Sequence, residues 1–490
     1  KWLKKMQINP ELINGQLKVP SVNIDSHHPT VTNQRKINLK FSAMDKLVKL
    51  DHYVVYINNI PITGQLKNLL TAKTSLEIEL SSGKNVIEVS VFNQQGIESL
   101  KDHLVITYKN KIKKPDLYLL SIGVSQFKDK EFNLNYAAKD AKDISRFFKS
   151  RSNDFNRIHL RTLTNQQATK QKILNSSAFL KRAKVDDKVI IFIASHGLLD
   201  NNLDYYLAMN DMNFYQPASN GLKYEDLEHL FQQTKSRNRL LLIDACNSGE
   251  VDDEELTSSN NFTTTTIPGV KSRGIRIKSK RKFIPNKQAY GLMQELFSDF
   301  RKGTGATVIS SATGTEFAYE SAAWNNGVFT FSLINGLKSK TADQNKDNVI
   351  RVSELKAYAL NNVDKLTQGQ QHPTSRIENT HNNFIIASTL KRGEKAISPT
   401  GTWEAENYKY YKELRRKIMV INKTSNSDIM VSRSYYKFNE NRYSMSQQSK
   451  YKAITTNKYR HASGIILHFK NNNTVRSIDT YDKGTFKRVR

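Results

Sequence analysis

Two uninterrupted apolar runs constrain this chain more than any other feature. VIIFIASHG covers Val189 to Gly197, and LLLIDACNSG covers Leu240 to Gly249. Val, Ile, Leu and Phe with so little polar alternation have the composition of strands buried on both faces of a parallel sheet. Such a sheet needs crossover connections, and helical patterns alternate with strand-like runs from residue 115 onward. Ligands bind these sheets beyond the carboxyl ends of the strands. His196 and Cys246 stand at the ends of the two runs, so an imidazole and a thiol are expected at two strand tips over one cleft.

Taken singly, a histidine is more often solvated or simply packed, and a cysteine is more often a small buried hydrophobe. The pair changes that weighting. Cys246 is the single cysteine among 490 residues, which removes disulfide and multi-cysteine zinc chemistry and points to a reducing, cytoplasmic compartment. His196 lies 50 residues upstream of it, the spacing known for the caspase nucleophile and its histidine.

At A-S-H-G and D-A-C-N-S-G the chain resembles the caspase-like cysteine peptidases, and more closely the metacaspases and prokaryotic caspase homologues of the orthocaspase type. Caspases read Q-A-C where this chain reads D-A-C. The resemblance runs from Asp116 to about Ala387 and includes LYLLSIGVSQF, NLNYAAKDA, GTGATVISSA, GVFTFSLINGL and QQHP in order. It implies a mostly parallel α/β sheet flanked by helices, and a cysteine endopeptidase that cuts after Arg or Lys in protein or peptide substrates.

The resemblance also assigns roles. Cys246 would be the nucleophile and His196 its base and later the proton donor to the leaving amine. Backbone N–H groups of Gly197 and Cys246 would meet the oxyanion. Asp244, two residues before the cysteine, and Asp140, in LNYAAKDA, match the two acids that hold a basic substrate side chain. Glu316, in SATGTEFAYES, is a further candidate acid from the second half. Two departures reduce the polar lining of that pocket: Ala194 and Ala137 stand where metacaspases carry Ser and Cys, which leaves Arg against Lys open.

The remaining chain divides by composition. Residues 1–20 open on Lys and carry neither a signal nor a transit pattern, so they are expected to be the end of a region that begins upstream. Residues 21–110 alternate with period two around Gly-containing turns, which predicts about seven short strands in an immunoglobulin-like sandwich able to recruit partners. The peptidase domain is expected over 115–390. Within it, 250–288 is polar, rich in Ser and Thr and then basic, and reads as a mobile loop between two halves. A basic loop beside a peptidase with a taste for basic residues is its nearest substrate, so self-processing there stands against a passive linker. Residues 398–490 predict a small, barrel-like β domain of no legible function.

Two further features need weighing. Asp343, Asn345, Asp347 and Glu354 fall at positions 1, 3, 5 and 12 of an EF-hand-like loop, with Asn348 where Gly is usual. A weak Ca²⁺ site and a metal-free capped turn both fit, and the dyad chemistry itself requires no cofactor. A net charge of +29 invites nucleic acid, with the densest run at Lys271 to Lys282, yet no nucleic-acid motif accompanies it. No run of 18 or more apolar residues suggests a membrane span. The sequence therefore predicts a caspase-like thiol protease in signalling or defence. A silent scaffold of the same fold and a basic nucleic-acid-binding protein are the alternatives.

Overall fold

The computed structural model describes residues 19–245, 270–273, 303–374 and 383–388, and the strands between 401 and 489, apart from segments 67–68, 110–112, 201–203 and 313–316. Cys246 and Glu316 lie outside the described residues. Two compact units emerge, Lys1–Gly336 with Leu355–Phe384, and Leu337–Glu354 with Ile385–Arg490.

The period-two stretch forms eight strands: β1 (Ser21–Ile24), β2 (Val31–Thr32), β3 (Lys36–Met44), β4 (Leu50–Ile57), β5 (Ile60–Gln65), β6 (Thr71–Glu79), β7 (Gly83–Asn93) and β8 (Asp102–Tyr108). They make two sheets, β1-β3-β6 and β2-β8-β7-β4-β5. Along β3, Ile37, Leu39, Phe41 and Ala43 turn inward while Lys36, Asn38 and Lys40 stay outside. The inward set joins Val55, Ile57, Ile78, Ile87, Val89 and Val91 in one core. Alternation on one buried face is what fixes register in such sheets.

One end of this sandwich meets the central parallel sheet through charge-assisted hydrogen bonds. Asp186 accepts from Arg35 (3.0 Å) and from the backbone N–H (2.9 Å) and hydroxyl (2.8 Å) of Ser82. Arg237, itself nearly buried, donates to the Glu79 carbonyl and to Ser81 Oγ. Both Asp186 and Arg237 closely precede sheet strands, so the contact lies at the amino ends of those strands.

The central sheet contains β9 (Leu117–Gly123), β10 (Ile158–Thr164), β11 (Lys188–Ser195), β15 (Asn238–Ala245) and β17 (Thr307–Ser310) in the order β10-β9-β11-β15-β17, every pair parallel. The two apolar runs are its central β11 and its neighbour β15, and both are buried along nearly their whole length. Smaller antiparallel pieces stand beside it: β12 (Gly197–Leu199), β13 (Tyr205–Leu207) and β14 (Leu222–Lys223) in one, and β16 (Val270–Ser272), β18 (Tyr319–Ser321) and β19 (Asn326–Gly327) in another.

Helix α1 (Ala137–Lys149) packs on β9, β10 and β11. Two short helices follow β10, α2 (Lys170–Leu174) and α3 (Ser177–Leu180), separated at Asn175 and Ser176. Helices α4 (Tyr224–Gln232), α5 (Val328–Ser339) and α6 (Val352–Leu366) follow.

In the second unit β20 (Val349–Arg351) pairs with β21 (Ile385–Ser388). Beyond them the chain runs as β22 (Gly401–Tyr410), β23 (Glu413–Lys423), β24 (Ile429–Lys437), β25 (Arg442–Ser444), β26 (Gln448–Thr455), β27 (Lys458–His461), β28 (Ile466–Asn471), β29 (Thr474–Ile478) and β30 (Gly484–Val489). Pairing is antiparallel throughout, β24 pairs with both β25 and β26, and β30 returns to pair with β22. The pairing therefore closes into an up-and-down barrel, with β25 attached outside the ring. Closure leaves no unpaired sheet edge around that ring.

Candidate active site

The parallel register brings β11 and β15 to the same level, with Ser195 opposite Ala245. The next residues in sequence are His196 and Cys246. His196 is described and nearly buried, 4% exposed, while Cys246 lies outside the described residues. Gly197 begins β12, opposite Leu207.

The imidazole is held from both sides by backbone carbonyls. Nε2 lies 2.7 Å from the Phe132 oxygen, and Nδ1 lies 2.6 Å from the oxygen of Arg273. Phe127 and Phe214 flank the ring at 5.3 and 5.9 Å between centroids. Burial pushes the His196 pKa down to about 4, against the pull of the two carbonyls. A neutral imidazole has a single N–H and satisfies one carbonyl, whereas the imidazolium satisfies both. The arrangement suits a group that stays neutral at rest and is steadied when it takes a proton.

Arg273 is the residue that organises the rest of the site. It belongs to the basic part of the segment expected to be a mobile loop, yet it is fully buried. The reason is pairing: β16 adds antiparallel to β18, with Lys271 opposite Glu320, and the Arg273 N–H donates to the Ala318 carbonyl at 2.7 Å. That addition delivers the guanidinium into a nest of three carboxylates. Nη2 donates to Asp140 Oδ2 at 2.5 Å, Nη1 lies 3.1 Å from Asp244 Oδ1 and donates to the Asp244 carbonyl at 3.3 Å, and Nε donates to Glu320 Oε2 at 3.0 Å. The Asp244 Oδ1 contact is an ion pair without hydrogen-bond alignment.

Asp140 and Asp244, named from the sequence, thus face one another across a single guanidinium. Asp140 is carried in the first turn of α1, which sits close on β9 because Gly123 has no side chain. A Cβ there would lie 2.2 Å from the Ala137 carbonyl oxygen. Asp140 also accepts from Asn326 Nδ2 at 2.8 Å and from the Gly327 N–H at 3.2 Å. Asp244 Oδ2 accepts from Thr330 Oγ1 at 2.5 Å. Gly327 walls the pocket, since a Cβ would come within 2.7 Å of both Arg273 Nη2 and Asp244 Oδ2.

Burial pushes Asp140 up to about 7, with the Asp244 charge adding to that and Arg273 opposing it. For Arg273 burial would lower the pKa, but Asp244, Asp140 and Glu320 together hold it above its ordinary value.

Sequence reasoning missed Glu320. The acid expected in that segment was Glu316, which lies outside the described residues. Glu320 is 2% exposed, and its carboxylate accepts from the N–H groups of Asn135 (2.9 Å) and Tyr136 (3.3 Å) as well as from Arg273. Its signal lay in the short alternation of FAYES, too brief to reveal which face is buried. Asn326 and Thr330 were missed too, and they supply polar lining from the second half of the domain. Ala137 and Ala194 themselves are fully buried.

The EF-hand-like residues lie in the second unit. Asp343 accepts from the N–H groups of Asp347 and Asn348, Glu354 from those of Asn345 and Arg351, and Asp347 pairs with Arg351 at 2.6 Å. Asn348 takes the left-handed conformation, φ 69°, that the loop requires of its sixth residue. Among the described residues no group of three or more His, Cys, Asp or Glu is placed to hold a metal ion.

The caspase-domain family model matches residues 118–385, more than half of the chain. The chain belongs to the caspase-domain family. Its members are cysteine peptidases that act on proteins, and the parallel sheet with its flanking helices is the caspase fold. No curated protein matches the chain. Among solved structures, a Geobacter sulfurreducens protein shares 17% identity over 56% of this chain and 100% of its own, with a TM-score of 0.37. Caspase-1 of Spodoptera frugiperda shares 13% over 55% of this chain and 88% of its own, at 0.32. Fibronectin(III)-like modules of Clostridium thermocellum CbhA share 15% over 18% of this chain and 97% of their own, at 0.16. Among the described residues no helix is long and apolar enough to cross a membrane.

Proposed function

We propose that this caspase domain is a cysteine endopeptidase that cleaves after basic residues, and that its own Arg273–Gly274 bond is one of its substrates. The observation that carries the reading is the placement of Arg273. Its guanidinium is enclosed by three carboxylates, and its carbonyl oxygen lies 2.6 Å from His196 Nδ1. A residue held by its side chain in a charged pocket and by its carbonyl beside a catalytic imidazole is disposed as a substrate on the amino side of a scissile bond.

In this reading the Cys246 thiolate attacks the Arg273 carbonyl carbon and forms a thioester. The C–N bond to Gly274 breaks, and His196 gives its proton to the departing amine. Water, deprotonated by His196, then releases the Arg273 carboxylate and restores the thiol. Backbone N–H groups of Gly197 and Cys246 are the proposed oxyanion donors. Until cleavage, the internal arginine occupies the pocket and excludes other substrates.

The Asp343 loop as a weak Ca²⁺ site, the flanking β domains as partner-recruiting modules and a cytoplasmic role in signalling or defence extend this reading. Mass spectrometry of the purified chain, with and without Ca²⁺, is expected to find a break after Arg273 that Cys246→Ala abolishes. Peptides differing only in Arg, Lys or Asp before the bond test the pocket. Preference for Asp, or cleavage that persists in Cys246→Ala, would overturn the proposal.

A further inference from the structure

The three acids of the pocket meet different parts of the Arg273 guanidinium. Asp140 and Asp244 meet the terminal nitrogens of Arg273, whereas Glu320 meets Nε, part-way along the side chain. Lysine has a methylene carbon at the position where arginine has Nε, and its charged nitrogen falls where arginine has Cζ. A lysine in this pocket therefore presents carbon to Glu320 Oε2 and stops one atom short of the nitrogens that reach the two aspartates.

It cannot recover by sliding deeper. The backbone of the seated residue is fixed on both sides, its N–H on the Ala318 carbonyl at 2.7 Å and its carbonyl beside His196 Nδ1 at 2.6 Å. Strand pairing of the preceding residues with β18 fixes the approach as well. Glu320 cannot follow a shorter side chain either, because the N–H groups of Asn135 and Tyr136 hold its two oxygens. A buried carboxylate left without its donor is costly, more so than a neutral group.

We infer that the caspase domain selects arginine over lysine, with Glu320 as the specificity-determining residue through its hydrogen bond to the substrate Nε. The inference rests on the proposed endopeptidase reading for its consequence in catalysis, but the recognition itself can be measured without turnover.

The test uses the full chain with Arg273→Ala, which empties the pocket, and two peptides of the native sequence Val-Lys-Ser ending in Arg or in Lys, each carrying a fluorogenic amide. The Arg peptide is expected to be favoured about 100-fold in kcat/KM, as a site built around a substrate N–H rejects the analogue lacking it. Glu320→Gln keeps the shape but has a single acceptor oxygen for backbone and substrate donors, so the ratio is expected to fall to about 10 or below. Binding of the corresponding free-acid peptides to the Arg273→Ala, Cys246→Ala chain reads the same ratio at equilibrium. Absence of cleavage of both peptides, with the affinity ratio intact, would sink the peptidase reading and leave the recognition standing.

A ratio near one in the Arg273→Ala chain, or a ratio unmoved by Glu320→Gln, would overturn the inference. Should emptying the pocket prevent folding, Arg273→Lys in the otherwise native chain makes the same exchange internally. That exchange is expected to slow self-processing strongly where Glu320 is kept, and only slightly when combined with Glu320→Gln. Equal rates for Arg and Lys at position 273 would also overturn it.

Discussion

Arg273→Met asks whether the internal arginine holds the pocket together. Methionine keeps an unbranched stem but removes every donor, so three buried carboxylates lose their shared cation. They do not lose all support. Asp140 keeps Asn326 and Gly327, Asp244 keeps Thr330, and Glu320 keeps Asn135 and Tyr136. The loss is therefore that of one broken buried ion-pair cluster rather than three independent pairs, about 3–5 kcal/mol. For a domain of this size that corresponds to a fall in Tm of roughly 10 °C.

The pH dependence is specific to this cause. Asp140 is raised from 3.8 to about 7 by burial and by Asp244. Between those values the folded chain keeps a proton that the unfolded chain has released, so stability falls as pH rises through that window and then levels off. Without Arg273 to oppose it, the Asp140 value moves further up and the loss extends to higher pH. The gap in Tm between parent and variant is expected to be widest at pH 8 and to narrow towards pH 5. Agmatine, an alkyl guanidine, should restore part of the lost stability in the variant and leave the Cys246→Ala parent unchanged. Differential scanning fluorimetry of both chains across pH measures all three. A gap below about 2 °C at pH 8, where breaking a buried ion-pair cluster requires several times more, would refute a buried Arg273.

Three further outcomes follow from the same geometry. His196→Ala should lower turnover of an Arg peptide by about a thousandfold or more, as removal of a general base does, and should lower Tm as well, because a buried ring packed against Phe127 and Phe214 gives way to a cavity. The His196 ring, held down to about 4 by burial, should stay neutral through pH 5 in NMR of the Cys246→Ala chain. Because the folded chain then binds that proton less well than the unfolded one, stability is lost as pH falls from the ordinary value of 6.5 towards 4. Asp186→Ala removes the acceptor for Arg35 and Ser82 and should cost about 1–3 kcal/mol while leaving cleavage of Arg peptides within about twofold of the parent.

The positions of the candidate residues were legible because they sit at strand ends that hydrophobic pattern marks clearly. An eight-residue apolar strand announces its own terminus, and His196 stands at such an end. The acids Asp140 and Asp244 were reached through resemblance, and the structure places both around one guanidinium. Glu320, Asn326 and Thr330 come from short elements or helix starts whose facing depends on what packs against them, so no periodicity could single them out. The basic run reads from its composition as a neighbouring substrate, but nothing in that composition marks its third residue as buried.

By itself the amino-acid order determined the strand composition and the chemistry available, because burial of apolar side chains is written in local pattern. Tertiary structure decided which charges share a cavity. Asp140, Asp244, Arg273 and Glu320 span about 180 residues of chain, and only the pairing of β16 with β18 and the seating of α1 on β9 bring them within ion-pair distance. Electrostatic attraction depends on separation in space and on exclusion of water, and neither can be read along a chain.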